Sequence, residues 1–309
     1  MSAQLEGSKW IWKDGEFIAW EDATLHLLST AVQFGTSMFE GIRCYDSASG
    51  PAIFRLDSHL ERLMHSCKIY RMVPAHSTDT LTRACKDVVA RNELGDCYIR
   101  PMVLRGYGAA GLDPAASPIE TYVAAWNWGT YLGEEALKEG VDVCVSSWNR
   151  PAPNTFPVQA KAAGHYNNAQ LIKMEALANG YVEAIVLAPN GIVSEGSGQN
   201  LFLVRRGVLI CPALEGTALR GITRDAILTL AGDMGLEVRL EAVAREDLYT
   251  SDELFFTGTA SEVTPIRSVD RIPVGEGKAG PITLEIQRSY LAVAKGEAED
   301  PHGWLTPVN

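Results

Sequence analysis

The chain has 309 residues, a formal net charge of −11, 46% hydrophobic and 21% charged residues, which suits a soluble protein of one large or two ordinary domains with a sizeable core. The acidic balance disfavours a general nucleic-acid binder, which carries a basic patch, although it leaves room for a local basic pocket holding an anionic small molecule. No apolar run has the length of a signal peptide or a bilayer span, and six cysteines without a CxxC pair and six scattered histidines point to a reduced, cytoplasmic protein with no zinc site.

In chain order, "WIWKDGEFIAW" holds two short apolar runs around Asp14-Gly15, a hairpin signal. "GIRCYDSASGPAIFRL" reads as a second hairpin that turns in its Ser, Ala and Gly stretch. "DSHLERLMHSCKIYRM" has helical periodicity, with Leu60, Leu63, Met64 and Cys67 on one side and Asp57 or Ser58 as the expected cap. "STDTLTRACKDVVARNEL" is a second amphipathic helix, opened by Ser77 and closed near Gly95. "CYIRPMVLRGYG" and "ETYVAAWNWG" read as strands. Residues 1–130 thus form a small N-terminal α/β domain, and 131–140 a connector. Residues 141–309 form a larger, strand-rich domain. It opens with the strand "VDVCVSSW" and the helix "NNAQLIKMEALANG", followed by strands at "EAIVLA", "GIVSEG" and "NLFLV". The helix "GITRDAILTLAGDMG", two strands around a small-residue turn in "ELFFTGTASEVTPIRSV" and the helix "GPITLEIQRSYLAVAKG" complete it. There is no internal repeat.

Several stretches offer chemistry. In "AKAAGHYNN" Lys161 is the one charge among small residues, and reads either as a surface lysine on a loop or as a buried amine kept for reaction. "LRGITRDAI" places Gly221, Ile222 and Thr223 where a helix begins, a position with free N–H groups that suits an anion; a plain glycine turn into a threonine-capped helix, a common arrangement, is the other reading. "FTGTASE" offers Gly258, Thr259 and Ala260 in a tight turn after a strand, as an anion nest or as an ordinary turn. Glu195, in "GIVSEGSGQNLFLV", is a solvated loop glutamate or a buried carboxylate with one cationic partner. Tyr98 and Arg100 in "CYIRPMVL" share one face of a strand, where an inward arginine meets an anion or a structural carboxylate. Pyridoxal 5′-phosphate needs an amine, a carboxylate for its ring nitrogen and a phosphate site; Lys161, Glu195 and the two glycine–threonine turns supply all three.

"FGTSMFEGIR", "HLERL", "YIRP", "SSWNRPAPNTFPVQAKAAGHY", "SEGSGQNLF", "GITRDAI" and "TGTASEVTPIRSVD" together resemble the branched-chain aminotransferases, of the class IV pyridoxal-phosphate fold, over nearly the whole chain. The resemblance implies an α+β enzyme of fold type IV. It would transaminate L-leucine, L-isoleucine and L-valine with 2-oxoglutarate in a two-step exchange, as a homodimer at least, with a hexamer as the larger assembly. It implies that Lys161 bonds the cofactor's aldehyde and moves the proton, and that Glu195 meets the ring nitrogen. Tyr166 stands beside the phenolic oxygen, Leu219 packs on the ring, and Arg62, Gly221, Ile222, Thr223 and Thr259 hold the phosphate. Arg62 by itself reads as a solvated helix arginine. For substrates, the resemblance implies an α-carboxylate site at Tyr98 and the N–H groups of Thr259 and Ala260. Phe39, Tyr131 and Tyr166 become walls of an apolar pocket, Leu112 a residue delivered from the neighbouring subunit, and Arg100 the group meeting a glutamate side chain. Two positions depart from the pattern: Phe34 stands where many relatives carry tyrosine, and Arg220 where relatives often carry proline. A D-amino-acid or (R)-amine transaminase or a lyase of the same fold is the alternative enzyme. A non-catalytic phosphate-ligand binder is disfavoured by Lys161, Glu195 and Tyr166 together.

Overall fold

The computed structural model describes residues 6–129 and 133–309, with only the backbone described at Glu134. The chain divides into two compact units: Met1–Gly129 with Ala160–Gly164 and Val293–Asn309, and Thr130–Gln159 with His165–Ala292. Two segments that the sequence assigns to the large domain, 160–164 and 293–309, therefore pack with the first unit. Both units mix helices and sheet, the expected α+β class.

The first unit is built on one sheet. Its strands are β1 (Trp10–Lys13), β2 (Glu16–Ala19), β3 (Ser37–Phe39), β4 (Ile42–Ser47), β5 (Gly50–Phe54), β6 (Cys97–Arg105), β7 (Ile119–Asn127) and β17 (Leu305–Pro307). They lie in the order β17-β5-β4-β6-β7-β1-β2, with β3 also paired to β6. The β1–β2 turn is the two-residue one expected: Lys13 pairs Glu16, and Asp14 and Gly15 both have positive φ, at 44° and 105°, as a twisted hairpin requires. Helices α1 (Thr30–Phe34), α2 (Leu56–Ile69) and α3 (Thr78–Arg91) accompany the sheet. Leu60, Leu63 and Cys67 of α2 and Leu81, Val88 and Val89 of α3 join Ile42, Ile99 and Val123 in one core, while Met64 is half-buried against it.

Helix boundaries differ from expectation in three places. Neither Asp57 nor Ser58 caps α2. The helix starts at the fully buried Leu56, its cap is Arg55 in the left-handed region, and the Arg55 side chain accepts no first-turn N–H but donates to the Ser58 hydroxyl at 3.1 Å. A tertiary bond fixes this start, since the Arg55 N–H donates to the Trp304 carbonyl at 2.7 Å. Helix α3 begins at Ser77 as expected, its hydroxyl accepting from Thr80 N–H, but ends at Arg91. The Asn92 amide there accepts from the N–H of Lys9 and Trp10 and donates to the carbonyls of Trp10 and Val88, so Gly95 plays no part in the stop. The expected connector 131–140 holds a short helix, α4 (Glu134–Glu139).

The second unit carries β8 (Val141–Val145), β9 (Glu183–Leu187), β10 (Val193–Gly196), β11 (Asn200–Arg205), β12 (Val208–Pro212), β13 (Val238–Glu241), β14 (Glu253–Gly258), β15 (Glu262–Val269) and β16 (Ile272–Pro273). Their order is β10-β9-β8-β15-β14-β11-β12-β13, with β16 on β15. Helices α5 (Tyr166–Ala178), α6 (Ile222–Asp233), α7 (Asp247–Thr250) and α8 (Pro281–Ala294) complete the element list. Strands β8 and β9 are parallel, as are β12 and β13. Parallel neighbours need a crossover, and α5 and α6 provide them. Each helix therefore begins beyond the carboxyl end of a strand, where α/β units place their ligand sites. Val143, Ile185, Leu201, Leu203, Leu254 and Phe256 form the core beneath.

Candidate functional site

Lys161 lies in a five-residue stretch, 160–164, that the first unit claims from the middle of the second. Backbone bonds hold it there. Met38 and Ala162 form an isolated antiparallel bridge, Phe39 N–H donates to the Lys161 carbonyl at 3.1 Å, and Lys161 N–H donates to the Ser66 hydroxyl at 2.9 Å. Ser66 in turn donates to the Arg62 carbonyl at 2.8 Å, so α2 fixes the lysine backbone. The half-buried Lys161 extends its Nζ to 5.0 Å from the Phe39 ring centre.

Arg62 is not a solvated arginine. It meets the fully buried Glu40 with two bonds of 2.7 Å, from Nε and Nη2. The second carboxylate oxygen also lies 2.7 Å from Nδ1 of buried His59. Burial alone would raise the Glu40 carboxyl, but Arg62 and His59 outweigh it and hold the group well below the usual carboxylate range. Burial is the largest influence on His59; aided by the Arg62 and Lys161 charges it outweighs Glu40 and lowers the imidazole below its ordinary value. The cluster is thus an ionised carboxylate between a guanidinium and a neutral imidazole.

Tyr98 and Arg100 lie two apart on β6 and face one way. The Arg100 guanidinium sits 4.7 Å from the Phe39 ring centre, 5.4 Å from that of Tyr98 and 5.6 Å from that of Trp126. The Tyr98 ring packs between Trp126 and Trp128, and its hydroxyl occupies the space a Cβ would need at position 41. That contact is why the "FEGIR" stretch carries Gly41. Phe34 ends α1 half-exposed, and Leu112 is 88% exposed in the β6–β7 loop. Arg105 ties that loop down by donating to the carbonyls of Pro114, Tyr70 and Arg71.

In the second unit Glu195 is buried on β10, and its cationic partner is Arg150, whose Nε lies 3.0 Å from Oε1. Arg150 is itself anchored by donating to the carbonyls of Gly196 and Ser197 and to the Asn168 side chain. Oε2 of Glu195 accepts from the Asn200 amide at 3.1 Å and from Leu219 N–H at 3.3 Å. Asn200 also occupies the space of a Cβ at Gly221, which joins the carboxylate to the start of α6. The cap of α6 is Gly221 with no side-chain bond, and Thr223 is a buried residue of the first turn, not the cap. Across β11–β14, Asn200 pairs with Thr257. Among the described residues the buried hydroxyls of Thr257 and Ser261 have no hydrogen-bond partner. Between them lies the turn of half-buried Gly258, Thr259 and Ala260, followed by Glu262 at φ 52°, a costly conformation for a non-glycine residue. Tyr166 is the half-buried first residue of α5, and Arg220 is exposed before α6.

The structure thus gathers Phe39, Arg62, Tyr98, Arg100 and Lys161 in one unit, and Glu195, Leu219, Gly221, Ile222 and Thr223 in the other; Tyr131 lies outside the described residues. Glu40, His59, Ser66, Arg150 and Asn200 are additions that sequence reasoning missed. The nearest signals were the "FEGIR" glutamate and the "SSWNRP" arginine, whose partners are distant in sequence. Among the described residues no group of three or more His, Cys, Asp or Glu could hold a metal ion, and no helix is long and apolar enough to cross a membrane.

Residues 37–269 match the family model described as amino-transferase class IV. A branched-chain-amino-acid aminotransferase of Salmonella typhimurium is 51% identical over 301 residues, covering 97% of each chain. The crystal structure of the Escherichia coli branched-chain amino acid aminotransferase superposes with a TM-score of 0.96 at 50% identity, covering 98% of this chain and all of that one. The branched-chain amino acid aminotransferase from Thermobaculum terrenum, in its PLP-bound holo form, gives 0.92 at 37% identity, over 98% of this chain and 99% of that one. The chain belongs to the branched-chain-amino-acid aminotransferases, within amino-transferase class IV.

Proposed function

We infer that the protein transaminates L-leucine, L-isoleucine and L-valine with 2-oxoglutarate, in a ping-pong exchange dependent on pyridoxal 5′-phosphate. The observation that carries this is the 51% identity over 97% of the chain to a branched-chain-amino-acid aminotransferase. The residues present fit the cofactor. The start of α6 has a glycine cap without a side-chain bond, in a unit that also buries two hydroxyls with no hydrogen-bond partner among the described residues, donors suited to a phosphate. Glu195 is a buried carboxylate whose bonds fix its orientation. When bound, the cofactor supplies a carbonyl that carries the amino group and a ring that accepts electrons from the substrate Cα.

The following roles are proposals supported by the family and, within each unit taken by itself, by the geometry above. Lys161 would hold the cofactor's aldehyde carbon through Nζ and would move the proton to and from the substrate Cα. Glu195 would meet the ring nitrogen, and Arg150 holds the Glu195 carboxylate in place at 3.0 Å. Arg62, Gly221, Ile222, Thr223 and Thr259 hold the phosphate, with Glu40 and His59 fixing the Arg62 guanidinium. Leu219 packs on the ring and Tyr166 meets the phenolic oxygen. Tyr98 with the Thr259 and Ala260 N–H groups takes the α-carboxylate. Phe39, Tyr131 and Tyr166 line the side-chain pocket, Leu112 completes it from a second copy, and Arg100 meets the acidic side chain of glutamate. Residues 1–129 with 160–164 and 293–309 act as the small domain, and 130–159 with 165–292 as the large domain, of a homodimer at least, and the enzyme works in the cytoplasm.

The test is the absorbance of the protein with bound cofactor before and after L-leucine. The expected result is loss of the yellow band with L-leucine and its return with 2-oxoglutarate. A response to D-leucine alone would transfer the chain to the D-amino-acid branch of the fold.

A further inference from the structure

Arg100 makes no ion pair among the described residues, and its Nε is buried without a hydrogen-bond partner. Trp126 shares this state: the residue is 7% exposed, and its indole N–H is buried with no acceptor among the described residues. The two belong to one patch. Tyr98 pairs with Trp126 and Arg100 with Ala124 across β6–β7, so all four side chains share a face. The small Ala124 opposite Arg100 leaves the guanidinium beside the Trp126 ring, at 5.6 Å. A phenylalanine at 126 would provide nearly the same apolar wall with no donor to satisfy. Burying an N–H without an acceptor is a cost that native chains avoid. The Arg100 Nε and the Trp126 indole N–H, both in one aromatic patch, mark the place of an incoming acceptor.

We propose that the Trp126 indole N–H is a second donor, beside Arg100, for the side-chain carboxylate of a dicarboxylic 2-oxo acid or amino acid. It is thereby a specificity-determining residue for the acidic substrate. Apolar substrates use only the ring as wall, so the same patch admits leucine. The proposal rests on the transaminase reading above.

Wild-type turnover of L-leucine with 2-oxoglutarate tests that reading alone. The proposal is tested by Trp126→Phe holoenzyme, through the ratio of kcat/KM for 2-oxoglutarate to that for 4-methyl-2-oxopentanoate. The ratio is expected to fall about tenfold, as loss of a hydrogen bond to a charged group implies. Inhibition by glutarate should weaken by a similar factor relative to inhibition by 4-methylpentanoate. Equal changes for both acids, or none, would reduce Trp126 to a wall and overturn the proposal. If the variant does not fold, the seven indole N–H signals of ¹⁵N-labelled wild-type holoenzyme carry the test. One should move downfield with glutarate and not with 4-methylpentanoate; no movement overturns it.

Discussion

The Lys161 carbonyl accepts the Phe39 amide at 3.1 Å, and the Lys161 Nζ lies 5.0 Å from the centre of the Phe39 ring. Strand β3 therefore holds the lysine by its backbone, and the proposed chemistry falls to its side chain. Lys161→Ala keeps every one of these backbone bonds. It should melt within a few degrees of the wild type while losing at least roughly 100- to 10,000-fold in turnover. Borohydride reduction followed by peptide mass analysis provides the check: cofactor fixed to another lysine in the variant would show that a different amine is used.

Glu195→Gln retains the Leu219 bond but removes the charge that Arg150 faces. The expected outcome is a fall of about tenfold or more in kcat, with a smaller change in KM, because the loss is felt where charge builds up on the ring. Steady-state kinetics with L-leucine decides it; an unaltered kcat removes the carboxylate from this role.

Glu40 makes stability depend on pH. Its carboxyl is depressed in the folded chain and titrates near ~4.3 when unfolded. Ionisation therefore stabilises the fold above that pH, and the contribution is lost as pH falls below ~4.3 toward the folded value. Glu40→Gln leaves the half-buried Arg62 guanidinium without this counter-charge, at a cost below the roughly 3–5 kcal/mol of a fully buried pair near pH 7. Denaturant titrations at several pH values should find the variant less stable at neutrality and less sensitive to acid below pH ~4.3. Parallel curves for the two proteins would contradict the assignment.

Phe34→Tyr should improve 2-oxoglutarate relative to 4-methyl-2-oxopentanoate, by about tenfold in KM if the new hydroxyl meets the carboxylate well. Arg100→Leu should act in reverse, harming 2-oxoglutarate far more. Position 34 does not face the acceptor carboxylate if both acids respond alike to the tyrosine.

All six cysteines are buried and free. Burial pushes the Cys67 thiol up to about 12 and Cys211 to about 11, and the thiolate is the reactive form. An aromatic disulfide reagent should therefore label none in the native protein at pH 8 and six after denaturation; rapid native labelling of even one would refute this.

Elements whose signal is local were legible in the sequence. The Asp14-Gly15 turn declares its backbone through residue type, and Leu60, Leu63 and Cys67 mark the inner face of α2 by spacing alone. The pairing of Glu40 with His59 and Arg62 was not legible, since a glutamate before a strand and two residues on a helix carry no mutual pattern. Arg62 even resembled a solvated residue because its neighbours on α2 are polar. The same holds for Arg150 and Glu195, brought together only when the chain between them folds. The start of α2 escaped notice because its cap is a bond to Trp304, from the far end of the sequence. Strands β12, β13 and β17 are short, and β13 and β17 are largely unburied, which leaves little hydrophobic alternation to read. Lys161 and Glu195 stood out chiefly through their surroundings and the family's motifs.

The pairing of β17 with β5 sets an order of events during synthesis. Ile53 and Phe54 find their partners, Thr306 and Leu305, only after some 250 further residues have been made. At roughly 5–20 residues per second the ribosome takes on the order of 10–50 s to do so. Throughout that interval β5 is an open edge, able to accept strands from other nascent chains. Premature termination anywhere in the last few turns of the protein would make that vulnerable interval permanent. Truncated chains should accordingly be lost to aggregation or proteolysis rather than to inactivity.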